Sequence, residues 1–159
     1  MNVTVLAVGR IKEVYLVEGI QEYAKRLSKY CKLNIIEIAD EKAPDNMSLK
    51  QLEQVKNKEG EKLKYKIPRD CFLVSLAIEG KTFSSEALAA KIEDIKTYNN
   101  SHIVFVIGGS NGLSKDILNR SNLLLSFGKM TFPHQLMRMI LLEQVYRSFR
   151  INNNEPYHK

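Results

Sequence analysis

The chain has 159 residues, 44% hydrophobic and 26% charged, which fits one globular domain with a core of its own. Its net charge of +6 permits an anionic partner such as nucleic acid without requiring one. Cys31 and Cys71 form no CxxC pair, and His102, His134 and His158 lack metal-ligand spacing, so neither a disulfide framework nor a metal is expected.

Val3–Val8 reads as a first strand ended by Gly9. The stretch is too short for a membrane span and lacks a basic start, so no leader or membrane association is expected and the protein is expected to be cytoplasmic. Val14–Tyr30 follows as an amphipathic helix, with Val17, Ile20, Ala24, Leu27 and Tyr30 on one face and Glu22 and Arg26 paired on the other. Leu33–Ala39 is a second strand, and Asp40–Asn46 a loop broken by Pro44. Ser48 and Gln51 have capping-box spacing, opening a Lys- and Glu-rich helix towards Tyr65. Its sparse apolar positions and Gly60 favour a solvated helix over an RNA-facing one.

Asp70–Ala77 is a third strand, and Ile78–Lys81 a turn. Ser84 or Ser85 caps a helix from Glu86 to about Tyr98, with Leu88, Ile92, Ile95 and Tyr98 as its inward stripe. Ile103–Ile107 is five apolar β-formers in a row, a strand buried on both faces. Gly108-Gly109-Ser110-Asn111-Gly112 then turns into a short helix capped by Ser114 and ending at Arg120. Asn122–Phe127 is a fifth strand, Gly128–Phe132 a turn, and Pro133 sits at the first position of a last helix reaching about Arg150. Asn152–Lys159 is a polar tail, of which Asn152–Asn154 is expected to be mobile.

Strands alternating with helices predict an α/β fold, a parallel sheet with flanking helices, in a single domain spanning 1–159. If strands three, four and five are neighbours, Leu76–Gly80, Gly108–Gly112 and Phe127–Phe132 converge on one crevice suited to a flat ligand. Ile107 stands where a dinucleotide fingerprint needs its first glycine, and Leu113 where a P-loop needs lysine. No acidic pair for glycoside chemistry or Ser-His-Asp constellation is evident. The last helix is apolar on too wide an arc for one sheet, with Leu136, Met137, Met139, Ile140, Leu141, Leu142, Val145, Tyr146 and Phe149 all competing for cover. That predicts a subunit interface through Ile140 and Leu141. The residues by themselves leave open an enzyme, a non-catalytic RNA-binding module and a doubly wound nucleotide-binding protein.

Four stretches together carry a resemblance: Leu76–Lys81 followed by Ser84-Ser85-Glu86, Phe105–Gly112, Phe127–Gln135, and Pro156-Tyr157-His158-Lys159. The sequence resembles, over essentially its whole length, the ribosomal RNA large subunit methyltransferase H family of the SPOUT methyltransferases. The resemblance implies a SPOUT-type fold with a C-terminal trefoil knot, a homodimer, and S-adenosyl-L-methionine as methyl donor. It implies methylation at N3 of a pseudouridine in helix 69 of 23S rRNA in the assembled ribosome. The family's cofactor positions fall on Leu76, Gly108, Phe127, Gly128, Lys129, Met130, Thr131 and Phe132. The tail residues Tyr157, His158 and Lys159 become catalytic candidates: His158 to accept the N3 proton, Tyr157 to stack on or hydrogen-bond to the base, Lys159 to meet a phosphate.

Overall fold

The computed structural model describes residues 1–99 and 101–159. The described residues form strands β1 (Asn2–Val8), β2 (Lys32–Ile38), β3 (Phe72–Thr82), β4 (His102–Ile107) and β5 (Leu123–Ser126). The helices are α1 (Val14–Leu27), α2 (Leu49–Lys64), α3 (Ser85–Asp94), α4 (Lys115–Arg120) and α5 (His134–Asn152). All strand pairs are parallel, in the order β2-β1-β4-β3-β5.

Alternation along the strands divides the core in two. Val3, Val5, Ala7, Val74, Ile103, Phe105 and Ile107 face one way, against Leu27 of α1, Leu88 and Ile92 of α3, and Leu141, Leu142, Val145 and Phe149 of α5. Leu6, Val8, Leu73, Val104 and Val106 face the other way, against Leu63 of α2 and Ile117 of α4. Caps follow the sequence. Ser48 and Gln51 close a reciprocal capping box, Ser84 rather than Ser85 caps α3 through the Ala87 N–H, and Ser114 caps α4 through that of Ile117.

Four expectations need correction. β3 does not end at Ala77. Leu76 and Lys81 both pair with Leu125, so residues 77–80 bulge out and the strand returns to the sheet. α3 gives way to a π-helical turn over Ile95–Asn99, which changes the number of residues per turn. Ile95 stays buried, but Tyr98 is rotated outwards and is 82% exposed.

Of the two α5 residues expected at a subunit interface, Leu141 belongs to the monomer core: α1 and α3 both pack on α5 and bury it fully, whereas Leu136, Met139 and Ile140 stay half-buried. Finally, Asn152–Asn154 are tied down. Asn152 donates to the Ala89 carbonyl and Asn153 to that of Phe149, at 2.9 and 2.7 Å. Asn154 takes a positive φ of 53°, which reverses the chain and lays Tyr157 edge-on against Tyr146. Buried aromatic surface thus fixes a segment whose own composition is polar.

Candidate functional site

β4, β3 and β5 are adjacent, so the turns beyond their carboxyl ends do converge. They enclose a cavity of about 730 Å³, walled by Leu76–Glu79, Gly108–Leu113 and the Phe127–Phe132 segment. Of the eight positions singled out from the sequence, Leu76, Gly108, Phe127, Gly128, Met130, Thr131 and Phe132 line it. Lys129 lies in the same turn but does not line the cavity.

Each turn has a local cause. In the glycine turn the Gly112 N–H donates to the Gly109 carbonyl at 3.1 Å, and Gly112 has φ +84°. A Cβ on Gly108 would stand 2.9 Å from the Gly112 carbonyl carbon and 3.1 Å from Leu113. Glycine is therefore needed there so that the loop can close on itself. In the third turn the Gly128 N–H donates to Ser126 Oγ at 3.1 Å, and Gly128 has φ +111°. Ser126 Oγ also donates to the Ile78 carbonyl at 2.9 Å, pinning the β3 bulge to the end of β5.

Residues outside the three turns also line the cavity, Leu118 of α4 and Pro133 among them. α5 supplies His134 and Met137, and α2 supplies Lys56. Burial lowers the His134 pKa, helped by the nearby Arg138 charge, and so favours the neutral ring. The signal for α2 was its stripe of Leu52, Val55, Lys56, Glu59, Gly60 and Leu63 at helical spacing, which includes two charged residues. Gly60 lets this face approach closely: a Cβ there would meet Ser114 Oγ at 2.4 Å. Glu59 is almost wholly buried, accepts the Glu41 N–H at 3.0 Å, and leaves Oε1 unpartnered. Burial pushes its pKa up.

The catalytic candidates lie elsewhere in the same subunit. The Tyr157 hydroxyl donates to Glu143 Oε1 at 3.0 Å, and its ring lies 4.7 Å from the Arg147 guanidinium carbon. Burial, then the Glu143 carboxylate, pushes the Tyr157 pKa up to about 12. His158 sits between Arg147 NH1 at 3.1 Å and Glu86 Oε1 at 2.8 Å. Lys159 is exposed. None of the three lines the cavity.

A family model described as a predicted SPOUT methyltransferase matches residues 1–158. The chain belongs to the SPOUT methyltransferases. Within them it falls in the ribosomal RNA large subunit methyltransferase H family. It is 57% identical to the protein of that name from Clostridioides difficile and 55% identical to that from Listeria monocytogenes, each over the full length of both chains. A probable methylase family protein from Haemophilus influenzae has the same fold, with a TM-score of 0.51 at 11% identity over 96% of this chain and 66% of that one. Among the described residues, no group of three His, Cys, Asp or Glu is placed to hold a metal, and no helix is long and apolar enough to cross a membrane.

Proposed function

We propose that this SPOUT family member transfers a methyl group from S-adenosylmethionine to N3 of a pseudouridine in helix 69 of 23S rRNA, acting on the assembled ribosome in the cytoplasm. The observation that carries the reading is the meeting of three glycine-containing turns at one cavity, in a chain over half identical to proteins named as ribosomal RNA large subunit methyltransferases.

The cavity residues fit an adenosyl ligand. Leu76, Phe127 and Phe132 offer flat apolar walls, while the Gly108–Gly112 and Gly128–Thr131 backbones offer donors and acceptors without side-chain bulk. When bound, S-adenosylmethionine supplies a methyl group already activated by its sulfonium. This chain's residues then have to hold the base in line with that group and take the N3 proton. Lys129, outside the lining, is proposed to act through the backbone of its turn.

Tyr157, His158 and Lys159 are proposed to serve the cavity of a partner subunit, because none lines the cavity of its own subunit and Tyr157 and His158 are held there against α5 and α3. The homodimer draws on apolar surface that the monomer leaves showing: Val14 and Tyr15 on α1, with half-buried Leu136, Met139 and Ile140 on α5. The trefoil knot is part of this reading because the chain belongs to the SPOUT methyltransferases.

The test is transfer of labelled methyl from S-adenosylmethionine to ribosomes from cells lacking the enzyme, with naked 23S rRNA in parallel. Labelling of assembled ribosomes supports the reading; no labelling of either, by protein that binds the cofactor, overturns it.

A further inference from the structure

α2 forms a wall of the cavity that neither the glycine turns nor the family resemblance pointed to. Lys56 is the one Lys or Arg among the described lining residues. Its side chain is only 18% exposed, so its aliphatic stem is already packed. Its ammonium lies 3.2 Å from Glu53 Oε1, a residue on the solvent side that is 42% exposed. With its Glu53 end exposed to solvent, such an i,i+3 pair is weak and open to exchange for another anion.

The other polar groups of the lining, Ser110, Asn111, Thr131 and the glycine backbones, are neutral donors, and burial holds His134 towards its neutral form, so none of them brings a positive charge. Behind the glycine turn, both Glu59 oxygens lie 3.6 Å from where a Cβ on Gly109 would stand. A buried carboxylate there opposes a second anion against that turn. An adenosyl ligand bearing an amino acid brings one carboxylate together with an ammonium, and Lys56 is the lining side chain, among the described residues, that can meet that carboxylate with a permanent positive charge.

We propose that Lys56 is the carboxylate-reading residue of the cavity, exchanging Glu53 for the ligand's α-carboxylate. The proposal rests on the S-adenosylmethionine reading above and adds to it a source of specificity. Lys56 gives the cavity its preference for adenosyl ligands that keep the amino-acid carboxylate.

Calorimetry with S-adenosylmethionine, S-adenosylhomocysteine and decarboxylated S-adenosylmethionine tests it on wild type, Lys56→Met and Lys56→Arg. Wild type is expected to bind the two carboxylate-bearing ligands at least about tenfold more tightly than the decarboxylated one, as a charged hydrogen bond supplies. Lys56→Met is expected to lose that preference while keeping its affinity for the decarboxylated ligand, and Lys56→Arg to retain most of it. Equal weakening of all three ligands by Lys56→Met would show a packing role and overturn the proposal, as would unchanged affinities. If wild type binds all three equally, the cofactor reading stands and the role of Lys56 falls. If it binds none, both fall.

Discussion

The Arg138 guanidinium donates to the carbonyl oxygen of Gly9 at 2.7 Å, tying the second turn of α5 to the end of β1. It also donates to the Val8 carbonyl and pairs with Glu37 Oε2, and it is almost wholly buried. Replacing Arg138 with Met removes donors from two backbone acceptors at once. The expected cost is about 3 kcal/mol, lowering Tm by roughly 6–12 °C in thermal melts. A change of less than about 1 kcal/mol would show that water substitutes for the guanidinium.

Glu59 is expected to make stability depend on pH in a particular direction. Burial raises its pKa above the unfolded value, so the folded state binds the proton more tightly. Stability from this group is present below the ordinary carboxylate range and falls as pH rises through the raised value. Glu59→Gln keeps an acceptor for the Glu41 N–H and removes the charge. It is expected to be more stable than wild type at pH 7, with the difference vanishing towards pH 4. Denaturant titrations at both values decide it; a variant less stable at pH 7 than at pH 4, relative to wild type, contradicts the assignment.

Gly60 reverses the usual helix rule. Glycine to alanine in a helix interior normally gains up to about 1 kcal/mol. Here the added Cβ would stand 2.4 Å from Ser114 Oγ and 3.0 Å from its Cβ. Gly60→Ala is expected to lose about 1–3 kcal/mol by pushing α2 away from the α4 cap. A higher Tm would mean that the helices separate freely.

In the glycine turn, Gly108→Ala places its methyl against the Gly112 backbone, so the loop itself has to open. Weaker S-adenosylmethionine binding is expected with the fold retained, read by calorimetry beside a melt. Unchanged affinity would remove the closed turn from the ligand site.

Removing Tyr157, His158 and Lys159 is expected to leave the subunit folded but to loosen the tail, since Tyr157 is only half-buried at the edge of the core against Tyr146, His158 bonds Glu86 and Arg147 at the surface, and Lys159 is exposed. Methyl transfer is expected to fall by ~10²–10⁴-fold, the usual contribution of a positioned base. Wild-type rates after deletion would place the proton acceptor elsewhere.

The sheet, its helices and the meeting of three turns were legible because parallel strands buried on both faces write continuous apolar runs, as in Ile103–Ile107. What was not legible depended on geometry between elements. Ile78–Lys81 has turn composition, yet β5 recaptures the chain beyond it through Lys81 and Thr82. Tyr98 fits a helical stripe until a π-helical turn changes the phase. Leu141 looked like part of an interface because the sequence does not say that α1 and α3 lie on the same side of the sheet as α5 and bury it, while Ile140 on the same helix stays half-buried. Lys56 looked like one more solvated lysine, since its place in the cavity follows from Gly60 letting α2 come close.

The most direct measurement maps the methyl group. Ribosomes lacking the modification are incubated with the protein and isotopically labelled S-adenosylmethionine, and the 23S rRNA is digested and sequenced by mass spectrometry. One labelled methyl on N3 of a pseudouridine in helix 69, and none on other nucleotides, is the predicted result. Label on a different base or atom, or none from protein that binds S-adenosylmethionine, would contradict the proposed reaction.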